Sequence, residues 1–223
     1  EGPASILVAD DGFDEVMLEN NDTTTGNSRI VIRQLGINGN KANRSDNNPI
    51  IHLQKVSDCL IEECHIYNGP AHGIAIQSGA RLVVNNCRLE NNGESGIGIS
   101  ALSGGETEDI IVSNCILNGH ASRGAFADGG YSGGNVRGIV FSNNVCRGNQ
   151  IGLHFEEGVT DSVMSGNICE ENSYAGINVG GGQTVIYCER LAIVGNVCCA
   201  NRTTGASYGI GGFWLKECSF VGN

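Results

Sequence analysis

Residues 83–99 read VVNNCRLENNGESGIGI, and the same phrase returns at 60–76 as LIEECHIYNGPAHGIAI and at 163–179 as VMSGNICEENSYAGINV. Aligned, these stretches share an anchor position occupied by Cys64, Cys87, Cys115, Asn144, Asn167, Asn196 and Cys218, at intervals of 22 to 29 residues. Three places before the anchor stand Ile61, Val84, Val112, Phe141, Met164, Ile193 and Leu215; two places after it stand Ile66, Leu89, Leu117, Cys146, Cys169, Cys198 and Phe220. Five places after it Asn recurs, at 92, 149, 172, 201 and 223. The register runs back to Leu35, with Ile32, Ile37 and Asn40 in matching columns, and the apolar run at 6–8 fits an earlier turn.

Short apolar strands of period two, joined by Asn or Gly corners and repeated every 22 to 29 residues, describe a parallel β-solenoid. A leucine-rich repeat would need helical Leu-rich spacers, and these spacers are Gly, Asn, Ser and Thr. Coils stacked about 4.8 Å apart put equal columns into ladders of like side chains. The 34 Gly among 223 residues then serve corners, and the absence of a three-residue period with only 3 Pro excludes collagen. Six of the 10 Cys fall into two inward ladders, Cys64–Cys87–Cys115 and Cys146–Cys169–Cys198, as small buried apolar groups. No pair has zinc-site spacing, so no metal site is expected among them.

The net charge of −11 argues against nucleic acid as a partner, and no apolar run is long enough for a membrane-spanning helix. The same charge disfavours an unaided polyuronate substrate.

The repeat, I-x-x-N-x-I-x-x-N followed by G-I-x-I, resembles the right-handed parallel β-helix of the pectin-lyase-like superfamily, whose members include polysaccharide lyases, epimerases and phage tail spikes. The resemblance covers residues 29–223 and implies an all-β, right-handed parallel β-helix of seven to eight coils, with 1–28 as an opening coil. It implies further that substrate lies along the sheet of G-I-x-I strands. Motifs that would fix an activity are absent: there is neither the tandem acidic and Gly-His-Gly set of the polygalacturonase type nor the Asp-Pro-His-Glu motif of the epimerases.

Alternation along that sheet turns Ile74, Ile76, Ile97, Ile99, Leu153, Phe155, Ile177 and Val179 inward, leaving two outward columns. One is His52, Ala75, Gly98, Phe126, His154 and Asn178; the other is Gln54, Gln77, Ser100, Asp128, Glu156 and Gly180. Asp128 and Glu156 become neighbours one rung apart with His154 beside them, a candidate catalytic set for acid/base or nucleophilic chemistry on a glycosidic bond. Arg123, His72 and His120 are expected along the same edge, Arg123 as a partner for substrate charge. His52, Gln54, Gln77, Asn178 and Tyr131 are the expected substrate contacts. No cofactor is expected, a divalent-ion site such as one for Ca²⁺ at these carboxylates being the alternative.

The sequence therefore predicts an extracellular or virion-borne protein that binds a polysaccharide and modifies it as hydrolase or lyase. The alternative is a non-catalytic adhesin, tail-spike shaft or filament module. The chain stops at Asn223 without a capping element, and a solenoid needs its terminal coils covered. A fragment of a longer chain, end-to-end stacking and trimeric association are the expectations that follow.

Overall fold

The computed structural model describes residues 5–130, 133–181, 186–201 and 208–223. Alternating burial builds the coil. In the coil made by Ala80–Asn85, Arg88–Glu90 and Ile97–Ser100, the side chains of Leu82, Val84, Leu89, Ile97 and Ile99 are buried while Val83 and Ser100 are half-exposed. These three strands pair in parallel with Ser57–Glu62, His65–Tyr67 and Ile74–Gln77 of the coil before. Repetition gives three parallel sheets of eight, eight and twelve strands around one apolar bore, a parallel β-helix. The opening residues join it: Ser5–Val8 pairs with Leu35–Asn38, and Leu18–Glu19 with Ile51 and His52. Among the described residues, the only helical turn is Lys41–Asn43, and no helix is long and apolar enough to cross a membrane.

The corner before each anchor is left-handed, with φ of 50°, 54° and 55° at Asn86, Asn114 and Asn143 and of 64° and 63° at Gly166 and Gly195. Asn and Gly tolerate that region at least cost and fill most of this column, while Glu63 before Cys64 and Glu217 before Cys218 adopt it at φ of 54° and 52°. Behind the corner, anchors bond vertically. The Asn167 Nδ2 donates to the Phe141 carbonyl (2.9 Å) and to Asn196 Oδ1 (2.8 Å), and its Oδ1 accepts the Asn144 backbone N–H (2.9 Å). Earlier rungs replace Asn by Cys: the thiols of Cys64, Cys87 and Cys115 donate to carbonyls of their own coil and of the one before. The other thiol ladder is also present, with Cys146, Cys169 and Cys198 in register.

The last rung corrects the sequence alignment. Ile193 pairs with Phe220, and Asn196 Nδ2 donates to Asn223 Oδ1, so Asn223 and not Cys218 continues the anchor ladder. Leu215, taken by spacing as a pre-anchor residue, pairs instead with Cys188.

His120 is a second correction. It does not line the edge of the G-I-x-I sheet; it is 2% exposed and occupies the rung between Asn92 and Asn149 in the second Asn ladder. Its Nδ1 accepts the Asn92 N–H at 3.2 Å, whereas its own Nε2 and the Asn92 Nδ2 are buried without partners. Burial holds His120 down to about 3. An unfolded histidine titrates near 6.5, so the unfolded chain carries one more proton between those limits and stability falls as pH drops below about 6.5. At the next rung Asn149 Nδ2 reaches the Leu117 carbonyl, and an amide at position 120 would restore that pattern. His120→Asn is expected to stabilise the protein by about 1 kcal/mol at pH 7.5 and by more at pH 5, measured as urea midpoints. Equal acid dependence in wild type and variant would overturn this assignment.

Candidate functional site

The second sheet stacks Ile51–Gln54, Ile74–Gln77, Ile97–Ser100, Arg123–Asp128, Ile151–Phe155, Ala175–Val179 and Tyr208–Gly212 on Leu18–Glu19. Its inward residues Ile74, Ile76, Ile97, Ile99, Leu153, Phe155, Ile177 and Val179 are all buried at 0% exposure, which leaves the outward columns in register. Phe126 pairs with Gly98 below and His154 above, His154 with Asn178, and Ser100 with Asp128. Glu156 follows one residue after the Ala127–Phe155 pair, which places it one rung above Asp128.

An open cavity of about 630 Å³ lies on this face, lined by Asp128, Glu156 and Glu157 from the strand ends, by Phe126 on the sheet, by Arg123 at the start of its strand, and by His72, Glu94, Ser95 and Ser122 from the turns that lead into the strands. The Phe126 ring lies across Gly98, where a Cβ would come within 2.9 Å of it. A glycine at that rung is what lets the ring lie against the sheet. His72 packs on the ring at 5.5 Å between centroids, and the Arg123 guanidinium lies 4.9 Å from its centre.

Arg123 is bound on several sides. Nη2 donates to both Glu156 oxygens (2.8 and 3.0 Å), Nη1 to Ser122 Oγ (3.5 Å) and Nε to His154 Nδ1 (3.1 Å). Burial pushes Glu156 above the usual carboxylate range, helped by the charges of Asp128 and Glu157 and opposed by Arg123. Burial, then the Arg123 charge, holds His154 down to about 3. His72 is lowered by burial and by Arg123 and raised by Glu94, whose Oε2 lies 3.1 Å from its Nε2. Four carboxylates thus line one cavity with a single guanidinium, and burial leaves one of them, Glu156, with its proton affinity raised.

Against known protein families, the profile of the right-handed β-helix region matches residues 4–138. The chain belongs to the right-handed β-helix family. Comparison with curated proteins gives no match. Among solved structures, the A-module of the Azotobacter vinelandii mannuronan C-5 epimerase AlgE4 is similar with a TM-score of 0.71 at 18% identity, over 97% of this chain and 57% of that one. A mutant of the periplasmic alginate epimerase AlgG gives 0.61 at 15% identity over 87% and 45% of the two chains. ORF18 of Geobacillus virus E2 gives 0.57 at 11% identity over 97% and 47%. The chain spans about half the length of these structures, and at such identities the likeness is one of fold.

Within this β-helix the expected catalytic set separates into two layers. Asp128 and Glu156 line the cavity with Arg123 and His72, whereas His154, 3% exposed, lies beneath Arg123. Asn178 is buried beside it, with Nδ2 3.0 Å from His154 Nε2. His52, Gln54 and Gln77 stand farther down the sheet. His52 bridges Glu19 (2.9 Å) and Gln77 (3.0 Å), and Gln54 donates to the Thr23 carbonyl. Tyr131 lies outside the described residues. Among the described residues, no group of three or more His, Cys, Asp or Glu side chains is placed to hold a metal ion.

Sequence reasoning missed Glu94 and Glu157. Glu94 was open to detection: it stands two residues before the recurring Gly of its coil, in the turn column that also holds Ser122. Glu157 carries no periodic signal, because the strand has ended at Phe155.

Proposed function

We propose that this cavity binds a polysaccharide and that Asp128 and Glu156 hydrolyse its glycosidic bond. The observation that carries the proposal is a pair of carboxylates on adjacent rungs of an open cavity, one of them with raised proton affinity. Adjacent rungs are about 4.8 Å apart, near the roughly 5–5.5 Å separation of retaining glycosidases rather than the wider gap of inverting ones. Asp128 then attacks the anomeric carbon, while Glu156 protonates the leaving oxygen and later deprotonates the water that releases the sugar. Phe126 supplies an apolar surface for a sugar ring.

Two similar structures are named as mannuronan and alginate epimerases, which supports a polysaccharide as the ligand. The periplasmic and viral sources in those names support an extracellular or virion-associated setting. Elimination from a uronate is the less favoured chemistry, because four carboxylates against one guanidinium repel a polyanion.

A panel of neutral and acidic polysaccharides, assayed for new reducing ends and for the absorbance of unsaturated uronates, tests the proposal. Reducing ends without unsaturation are expected. Unsaturated products would make the protein a lyase, and binding without turnover would make it an adhesive or structural module.

A further inference from the structure

Arg123 opens its strand and reaches Glu156, 33 residues later on the next coil, and a long arginine side chain at a strand end has many rotamers to lose before it does so. Something must hold it. The Phe126 ring and Ser122 contact it, but neither fixes its direction: a face contact tolerates sliding, and the 3.5 Å bond to Ser122 Oγ is at the limit of a hydrogen bond. The firm contact is Nε–H to His154 Nδ1 at 3.1 Å.

An arginine Nε–H only donates, so His154 Nδ1 must present a lone pair. The ring hydrogen is then on Nε2, where the Gly180 carbonyl accepts it at 3.2 Å. Asn178 lies against the same nitrogen through its amide end, 3.0 Å away, and an Nε2–H requires that amide to turn its oxygen inward, which gives the otherwise unpartnered Asn178 Oδ1 a donor. Both ring nitrogens are therefore used, and the ring is 3% exposed, so it offers substrate no face. The nearer Glu156 oxygen is 4.0 Å from Nδ1, which is too far for a direct hydrogen bond.

We propose that His154 is a positioning residue: fixed as the Nε2–H tautomer beneath the cavity, it holds Arg123 against Glu156 and so sets the pH at which Glu156 gives up its proton. Among the described residues, other charged and titratable groups act on this pair. Asp128 and Glu157 add negative charge to Glu156, Cys188 Sγ donates to the backbone carbonyls of Glu156 (2.7 Å) and Phe155 (3.9 Å), and His72 with its partner Glu94 stands across Phe126 from Arg123. Arg123 is the one of these that lowers the proton affinity of Glu156, so letting it swing away raises the titration of Glu156. The catalytic consequence rests on the glycosidase proposal, since the basic limb of a pH–rate profile would follow Glu156. The titration itself does not.

The carboxyl ¹³C resonance of Glu156, assigned by its loss in Glu156→Gln, reports that titration whether or not the protein turns over a glycan. His154→Leu is expected to move it upward by about one unit. His154→Gln, whose amide can accept from Arg123 and donate to Gly180, is expected to restore it. In an Arg123→Gln background, His154→Leu should produce no further shift, because its effect runs through the guanidinium. An unmoved titration in His154→Leu, or a shift that persists without Arg123, would overturn the proposal. Imidazole ¹⁵N shifts of the wild type give a check free of any folding defect: Nδ1 is expected to be unprotonated from pH 8 down to 5, and an Nδ1–H tautomer would sink the assignment. A Glu156 that titrates as expected in a protein without turnover would leave His154 in this role and remove only the glycosidase.

Discussion

Glu156→Gln is expected to lower turnover on a polymeric glycan by roughly 10²–10⁴-fold, and Asp128→Asn by at least as much. The reasons differ, and the difference is measurable. Glutamine fills the same space and still offers Arg123 an acceptor in place of the bonds at 2.8 and 3.0 Å, so the cavity should keep its shape. What it lacks is a proton to give. A synthetic substrate whose leaving group departs as a stable anion needs no such proton, and on it Glu156→Gln should recover most of its rate of glycosyl transfer. Asp128→Asn should gain nothing from that substrate, because the missing function is the nucleophile. Asp128 also accepts the Gly130 N–H at 3.0 Å, a bond that the asparagine oxygen can keep, so loss of activity would not reflect a collapsed loop. Circular dichroism and urea midpoints close to wild type would complete the control. Turnover above half of wild type in both variants would remove the two carboxylates from the chemistry.

The columns that define this site were legible because solenoid stacking turns sequence spacing into position. Once Ile97 and Ile99 are assigned inward, the partners of Gly98 and Ser100 follow, and Phe126 and Asp128 are found opposite them. Legibility fails where hydrogen bonding rather than apolar spacing decides. Leu215, Cys218 and Phe220 satisfy the apolar rule of an anchor, yet the buried amide of Asn196 selects Asn223. His120 shows the same limit: its place five residues after Cys115 is the Asn column, and the fold uses its Nδ1 there as an amide oxygen. The cavity walls were less legible still. His72 was expected on this edge and lines the cavity, but Glu94 leans in from the turn of the coil below Phe126, and nothing in the local pattern shows how far a turn leans over the sheet.

The buried Asn ladder predicts the largest change in stability. Asn167→Leu keeps nearly the same volume and removes the amide. The Asn144 backbone N–H would then be buried without a partner, because Asn167 Oδ1 is what accepts it, and the Phe141 carbonyl, which pairs in the ladder with the next strand, would lose its second donor. At about 1–3 kcal/mol for an orphaned group and about 1 kcal/mol for a lost hydrogen bond, the loss is roughly 2–4 kcal/mol, a large share of the stability of a typical domain. Asn144 Nδ2 keeps the Val112 carbonyl, and Asn196 Oδ1 keeps the backbone N–H of residue 167, so the damage is confined to this rung. An exposed corner makes the contrast. Asn86 sits at φ 50° and Asn86→Gly loses only what the corner itself requires, so its unfolding free energy should stay within about 1 kcal/mol of wild type. Linear extrapolation of urea unfolding for the two variants tests whether Asn abundance reflects one cause or two. If Asn167→Leu costs no more than Asn86→Gly, the amide ladder is a by-product of corner geometry rather than a source of stability. If it costs several times more, the vertical bonds between coils resist separation, and hydrogen exchange should show the amides of Phe141, Asn144 and Asn167 opening together, as nearest-neighbour coupling in a solenoid requires.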